Sequence, residues 1–274
     1  MSPPRDEPVE LDLLLDTIHQ RQGQDFRNYS RTSLTRRIDQ VMREEGLANL
    51  SQLQERVRID TSCMTRLVDR MSVRVTAMFR DPAMHALLRR EVVPWLRTLP
   101  SLRIWHAGCA TGEEVHSVAI LLHEEGLLDR ARIHATDVSE TALGVARSGL
   151  LPMSSMREYT RNYLEAGGRA DFSDYYTARY GHAIISRFLG ERVTFSRHDL
   201  AVDPSPGQFH LVMCRNVTMF FNERLQAHVH GLLAESLAPQ GFLVLGRHET
   251  IRPALHSTLQ DVISRSERVY RKVR

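Results

Sequence analysis

The sequence predicts an α/β protein in which an all-helical N-terminal part precedes a mostly parallel sheet covered by helices on both faces. Three observations predict it. Residues 9 to about 92 carry apolar residues at helical spacing. From about Leu102, short apolar runs alternate with helical segments, the pattern of parallel strands joined by helical crossovers. Between residues 150 and 192 the alternation breaks over a stretch rich in Tyr, Arg and Gly. A bare loop of that length is unusual, so an inserted subdomain with some strand content is expected.

The N-terminal helices follow from their faces and ends. Leu11, Leu14, Leu15 and Ile18 share one helical face. The stretch 33–46 puts Leu34, Ile38, Val41 and Met42 on one face and Arg36, Arg37 and Arg43 towards the other, with Gly46 placed as a C-cap. A helix near 51–58 starts with Ser51 as its cap. Asp81-Pro82 opens another, with Asp as the cap and Pro at the first helical position. Strands are expected at 102–107, 132–136, 193–196, 210–214 and 242–245, and helices at 113–125, 140–148 and 223–237. The tail 267–273 reads as one last strand, with antiparallel pairing open to it. The expected division is a flexible leader at 1–8, a helical domain at 9–92, and an α/β domain at 93–274 with its insertion at about 150–192.

Composition narrows the class. With 274 residues and 42% apolar content a sizeable core can form, and 25% charged residues is ordinary for a globular chain. Nothing approaches about 18 consecutive apolar residues, so no membrane insertion is expected. Residues 1–8 lack the apolar core of a signal peptide, which fits a cytoplasmic protein. Cys63, Cys109 and Cys214 have no metal-ligand spacing, so free buried thiols and no metal are expected. The net charge of +3 is uneven: residues 21–80 hold 12 Arg against 7 Asp or Glu. Such a cluster suits an acidic partner, because Arg grips carboxylates with two parallel hydrogen bonds. No nucleic-acid motif accompanies it, so no nucleic-acid partner is expected.

The chemistry concentrates at Gly108-Cys-Ala-Thr-Gly112, which follows an expected strand and precedes an expected helix. Glycines there let the backbone turn tightly and approach a ligand at the carboxyl ends of the strands. The Gly-x-x-x-Gly spacing alone fits a structural turn equally well. Two acids favour a ligand. Asp137 ends the next expected strand, where a carboxylate can accept from ribose hydroxyls or instead cap the following helix. Glu113, just past the turn, suits a cationic ligand group, or a contact with the helix dipole.

Several words of the sequence carry a resemblance. They are Ser72-Val-Arg-Val-Thr-Ala-Met-Phe-Arg-Asp-Pro82, Trp105-His-Ala-Gly-Cys-Ala-Thr-Gly-Glu-Glu114, His134-Ala-Thr-Asp137, Cys214-Arg-Asn-Val-Thr-Met-Phe-Phe-Asn222 and, less closely, Leu243-Val-Leu-Gly-Arg-His-Glu249. In this order they resemble the chemotaxis receptor methyltransferase (CheR) family over about residues 25 to 272. The resemblance implies a Rossmann-like methyltransferase domain with a small inserted β subdomain, behind an all-α domain. It implies methyl transfer from S-adenosylmethionine to glutamate carboxylates of a chemoreceptor signalling domain, leaving S-adenosylhomocysteine, by a monomer that recognises an acidic helical partner. Cofactor contacts would be Thr76, Arg80, Glu113, Asp137, Asp199, Leu200, Arg215 and Asn216, beside the turn glycine Gly108. Arg80 would orient the acceptor carboxylate. Arg31, Arg36, Arg37 and Arg43 would match the family's receptor-facing basic helix, and Phe220 would lie near the acceptor.

A glutamate carboxylate is already ionised at neutral pH, with a reference pKa of about 4.3, so no general base is needed. Alignment of nucleophile, methyl group and leaving sulfur supplies most of the catalysis. Four places depart from the family pattern. Phe220 stands where a Tyr is common, Arg74 where an Asn is common, His116 where a Tyr is common, and Arg247-His248 where His-Ser is common. These leave two alternatives beside receptor methylation: the same chemistry on another acceptor, or a cofactor-binding module without turnover.

Overall fold

The structure is a computed structural model that describes residues 7–71, 76–179, 181–255, 257–261 and 266–273. The chain forms two compact units. The first holds the chain up to residue 73 together with Met219–His228; the second holds Arg74–Thr218 and Val229–Arg274. The expectation drew the division at 92. The stretch between has its apolar residues, among them Met84, Leu87, Val92 and Leu96, in the core that also holds Ile104 and Val118 of the second unit.

The first unit contains α1 (Glu7–Gln22), α2 (Arg31–Glu45), α3 (Leu50–Ile59) and α4 (Thr61–Met71). Leu11, Leu14, Leu15 and Ile18 of α1 are buried with Leu34, Ile38 and Val41 of α2 and Leu67 and Met71 of α4. Gly46 ends α2 in the left-handed conformation, φ 68°, and Leu47 N–H donates back to Met42 O at 2.8 Å. That closure satisfies carbonyls the helix end would leave open. The expected Ser51 cap is corrected: Asn49 caps α3 by accepting from Gln52 N–H at 2.9 Å, while the Ser51 hydroxyl donates to Glu10 at 2.7 Å. The returning segment Met219–His228 joins this unit through backbone bonds, Ser30 N–H to Phe220 O at 2.7 Å and Asn222 N–H to Asn28 O at 2.8 Å.

In the second unit α5 (Pro82–Leu87) runs through a π-helical turn at Leu88–Val92 into α6 (Val93–Arg97). Asp81 does not cap α5: its side chain makes no capping bond and is held by Arg215 instead. Then follow β1 (Leu102–Ala107), α7 (Glu113–Glu124), β2 (Ala131–Asp137), α8 (Glu140–Ser148), β3 (Leu150–Pro152), α9 (Met156–Glu165), β4 (Tyr176–Arg179), β5 (His182–Ile185), α10 (Arg187–Gly190), β6 (Val193–Arg197), β7 (Phe209–Cys214), α11 (Glu223–Glu235, of which the part from Val229 belongs to this unit), β8 (Leu237–Leu245), β9 (Leu259–Asp261) and β10 (Val269–Lys272).

The main sheet has the order β6-β2-β1-β7-β8-β10-β9. Its first five strands pair in parallel, and β10 is antiparallel to both β8 and β9. The sheet thus grows outward on both sides of β1, which opens a crevice at the carboxyl ends of β1, β2 and β7. Between α8 and β6 the expected insertion forms a three-stranded antiparallel sheet, β3-β5-β4, whose Leu151, Ala183 and Ile185 are buried. Among the described residues no helix is long and apolar enough to cross a membrane.

Candidate active site

The turn after β1 is shaped by its glycines. Gly108 sits at φ 79°, and a Cβ there would meet Val217 Cγ2 at 2.5 Å. Gly112 sits at φ 92°, and a Cβ there would meet Ala146 Cβ at 2.9 Å. Any side chain at either position would be both strained and crowded. The turn is tied to β2: Gly108 N–H and Cys109 N–H both donate to Thr136 O, at 2.8 and 2.9 Å.

Asp137 ends β2 and links three segments. Its Oδ2 accepts from Ala110 N–H at 2.9 Å and its Oδ1 from Ser139 N–H at 2.9 Å. The cap of α8 is Ser139, whose hydroxyl accepts from Ala142 N–H at 3.2 Å. The Asp137 carbonyl accepts from His198 N–H at 3.1 Å, which brings the turn after β6 alongside. Asp199 and Leu200 follow in that turn, both buried; Asp199 Oδ1 accepts from Ala201 N–H at 2.9 Å.

Glu113 opens α7 and is only 6% exposed. Its Oε2 accepts from the Thr111 hydroxyl at 2.6 Å, and it forms no ion pair among the described residues. Burial pushes its carboxyl up, only partly countered by the Thr111 bond. A buried carboxylate beside a glycine turn, with no cation paired to it among the described residues, suits a ligand ammonium, which would restore its charge balance.

Glu114 behaves oppositely. Burial alone would raise its carboxyl, but the His106 hydrogen bond at 3.0 Å and the Arg215 guanidinium outweigh it and bring the pKa to about 2. Arg215, whose side chain is 2% exposed, donates from Nη1 to Glu114 Oε2 at 3.0 Å and to Arg80 O at 3.3 Å, and from Nη2 to Asp81 Oδ2 at 2.5 Å. Asn216 is left-handed, φ 60°, and its N–H donates to Glu249 Oε2 at 2.7 Å. The same carboxylate accepts from Gly246 N–H at 2.7 Å and from the Thr218 hydroxyl at 2.8 Å, locking the loop after β7 to the loop after β8.

Among the described residues, four of the six non-glycine residues with positive φ are Phe79, Asp81, Ala110 and Asn216. Each lies in one of these loops, and strained backbone of this kind persists where the surrounding structure over-determines it. The structure therefore brings Arg80, Gly108, Asp137, Asp199, Leu200, Arg215 and Asn216 to one end of the sheet, with Glu113 at the start of α7. Thr76 is partly buried four residues before Arg80. Sequence reasoning missed Glu114, His106, Asp81 and Glu249 as site-builders. Each lies inside a quoted word, but nothing local signals its distant partner.

The remaining candidates lie in the first unit. Arg31 pairs with Asp12 at 2.5 Å. Arg37 donates to Met71 O at 2.7 Å, and its guanidinium lies 4.7 Å from the centre of the Phe220 ring. Burial lowers the Arg37 pKa. Arg36 and Arg43 are exposed and form no ion pair among the described residues. Of the departures, Arg74 lies outside the described residues. His116 is buried against the Ala146 carbonyl, and burial lowers its pKa to about 4. Arg247 pairs with Glu267 at 2.7 Å, and His248 is exposed. Cys63, Cys109 and Cys214 are free and buried, as expected. Among the described residues no group of three or more His, Cys, Asp or Glu could hold a metal ion.

Known proteins match this arrangement. The family model for the CheR methyltransferase SAM binding domain matches residues 74–267, and that for the CheR methyltransferase all-alpha domain matches residues 9–72. A Pseudomonas putida (KT2440) protein provisionally called methyltransferase Cher3 is 46% identical over 272 residues, 99% of this chain and 100% of that protein. The chemotaxis protein methyltransferase of Borreliella burgdorferi is 25% identical, covering 89% of this chain and 88% of that protein. Chemotaxis protein methyltransferase 1 of Pseudomonas aeruginosa is 27% identical, covering 78% and 80%.

Proposed function

The chain belongs to the CheR methyltransferase family, and from that premise we propose that it methylates glutamate carboxylates of an acidic, helical chemoreceptor signalling domain. The relatives named chemotaxis protein methyltransferase support the receptor as acceptor. The observation that supports the donor site is Glu113, a buried carboxylate that forms no ion pair among the described residues, beside the Gly108–Gly112 turn.

S-adenosylmethionine, when bound, supplies an electrophilic methyl on a sulfonium. Glu113 would hold its ammonium, Asp137 its ribose hydroxyls, and the backbone about Gly108 the approach between them. Asp137 already accepts two backbone N–H bonds, yet each oxygen keeps a second acceptor direction for a hydroxyl. Asp199, Leu200 and Asn216 would complete the wall, with Thr76 at its edge. Arg80 would orient the acceptor carboxylate, which needs no base because it is ionised at neutral pH. The chain's contribution is alignment, and exclusion of water, as charge on carboxylate and sulfonium is neutralised together. Arg36 and Arg43 would meet the acidic receptor surface; Phe220, under Arg37, offers a ring without a hydroxyl.

The test is incubation of the full chain with methyl-labelled donor and an acidic chemoreceptor cytoplasmic fragment. Base-labile label released as methanol is the expected result, with Arg80→Ala folded and transferring about 100-fold more slowly. Label that resists base, or appears only on another molecule, would replace the receptor carboxylate with a different acceptor.

A further inference from the structure

We propose that Arg215 and Asp81 are positioning residues for Arg80, acting through its backbone rather than by touching the methyl donor. The inference rests on the reading of Arg80 as the residue that orients the acceptor.

Arg80 sits between two left-handed residues, Phe79 at φ 51° and Asp81 at φ 55°. For residues with a Cβ each such conformation is unfavourable, and two bracketing one residue do not hold themselves. Three anchors hold the segment. Asn162 Nδ2 donates to Met78 O at 3.1 Å, and Phe79 N–H donates to the Ser117 hydroxyl at 2.8 Å. Arg215 supplies the third and spans Arg80 itself, reaching Arg80 O with Nη1 and the Asp81 carboxylate with Nη2.

The guanidinium is itself fixed. Nη1 also donates to Glu114 Oε2 at 3.0 Å, and Glu114 Oε1 meets His106 Nδ1 at 3.0 Å. His106 lies in β1, Glu114 in the first turn of α7, and Arg215 directly after β7. The chain of bonds therefore runs from the centre of the sheet to the carbonyl of Arg80. Both Nη1 hydrogens go to Glu114 and Arg80, inside a side chain almost wholly buried, while the buried Nε has no hydrogen-bond partner among the described residues. This placement suits a brace that bears on Arg80 through its carbonyl. It also accounts for Asp81, which stands at a helix start without capping it.

The experiment uses the full chain carrying Asp81→Asn, and in parallel Arg215→Lys. Asn keeps the shape and removes the charge; Lys keeps the charge but cannot bridge three acceptors in a fixed plane. Three readouts are taken: S-adenosylhomocysteine affinity by calorimetry, backbone amide exchange over residues 77–84, and kcat on the receptor fragment. Affinity is expected to stay within about 3-fold, the thermal midpoint to fall because the buried Arg215 pair is broken, exchange over 77–84 to rise more than across β1 and β7, and kcat to fall about 10- to 100-fold, the scale of a small misplacement. Arg80→Ala added to Asp81→Asn is expected to cost little more, because the two act as one unit.

Unchanged exchange over 77–84 would overturn the inference, as would product affinity falling in step with kcat. So would full additivity with Arg80→Ala. Failure of the wild-type chain to methylate the fragment would instead refute the receptor reading, while the exchange and affinity measurements still decide the role of the brace.

Discussion

Asp137 Oδ2 accepts from Ala110 N–H at 2.9 Å, so the acid that ends β2 holds the left-handed residue in the middle of the glycine turn. One carboxylate thus shapes the loop, and in the proposed site the same group accepts from the ribose. On that reading a substitution there moves both structure and binding.

Asp137→Asn is expected to weaken S-adenosylhomocysteine binding about 10-fold and to destabilise the fold by about 1–2 kcal/mol. The amide has one acceptor oxygen for two backbone donors, so either Ala110 N–H or Ser139 N–H faces an NH2 group. Calorimetry and urea unfolding read the two effects separately. Weakened binding at full stability would mean that the bond to Ala110 contributes nothing to the fold.

Glu113→Gln is expected to part stability from binding. The folded chain raises this carboxyl by burial, so ionised Glu113 is a cost to the fold above that raised pKa. Gln removes the charge, and the thermal midpoint near pH 7 should rise slightly. Affinity for the donor should fall at least about 10-fold, the scale of a lost hydrogen bond to a charged group. In the wild type, affinity should decline as acidification protonates Glu113, beginning above the ordinary glutamate range. A pH-independent affinity would remove Glu113 from the ammonium site.

The parallel strands were legible where each is a short apolar run bounded by polar residues, and β1, β2, β6 and β7 appear within a residue or so of their expected limits. β8 instead begins at Leu237, ahead of its expected start and at the end of the expected helix, β3 to β5 were expected only as strand content of the insertion, and β9 is three residues long and paired only at the sheet edge, too short for any periodicity to register. The site was legible in the glycine turn and in Asp137, where the signal is local. It was not legible at Asp81. Asp-Pro reads as a helix start, but the partner that takes the carboxylate is 134 residues away. Glu249 was hidden in the same way, since Asn216 N–H, the Thr218 hydroxyl and Gly246 N–H reach it from the loops after β7 and β8. An ion pair or clamp formed between crossovers leaves no trace in spacing.

Reversal of charge at Arg36 and Arg43 of α2, by Arg36→Glu with Arg43→Glu, is expected to raise KM for an acidic receptor fragment without changing product affinity. Both side chains are exposed and form no ion pair among the described residues, so stability should change by no more than about 0.5 kcal/mol per substitution. The difference from wild type should shrink as salt is added, since exposed charges are screened over about 10 Å at 0.1 M. An unaltered KM at low salt would make this face merely solvated.

Glu114 gives the sharpest pH test. Its folded pKa, about 2, lies below the ordinary 4.5, because His106 and Arg215 together overcome a burial that would raise it. A depressed carboxyl stabilises the fold fully above its unfolded pKa, and that contribution is lost as pH falls towards the folded value. Wild-type stability should therefore drop between about pH 4.5 and 2 more steeply than in Glu114→Gln, which has no carboxyl to titrate there. The variant should already be less stable at neutral pH, by about 3 kcal/mol, because Arg215 stays buried with one anion removed. Urea unfolding from pH 7 down to 2 measures both. Parallel acid limbs for the two proteins would mean that Arg215 and His106 do not hold the Glu114 charge, and the support beneath Arg80 would lose its anchor on β1.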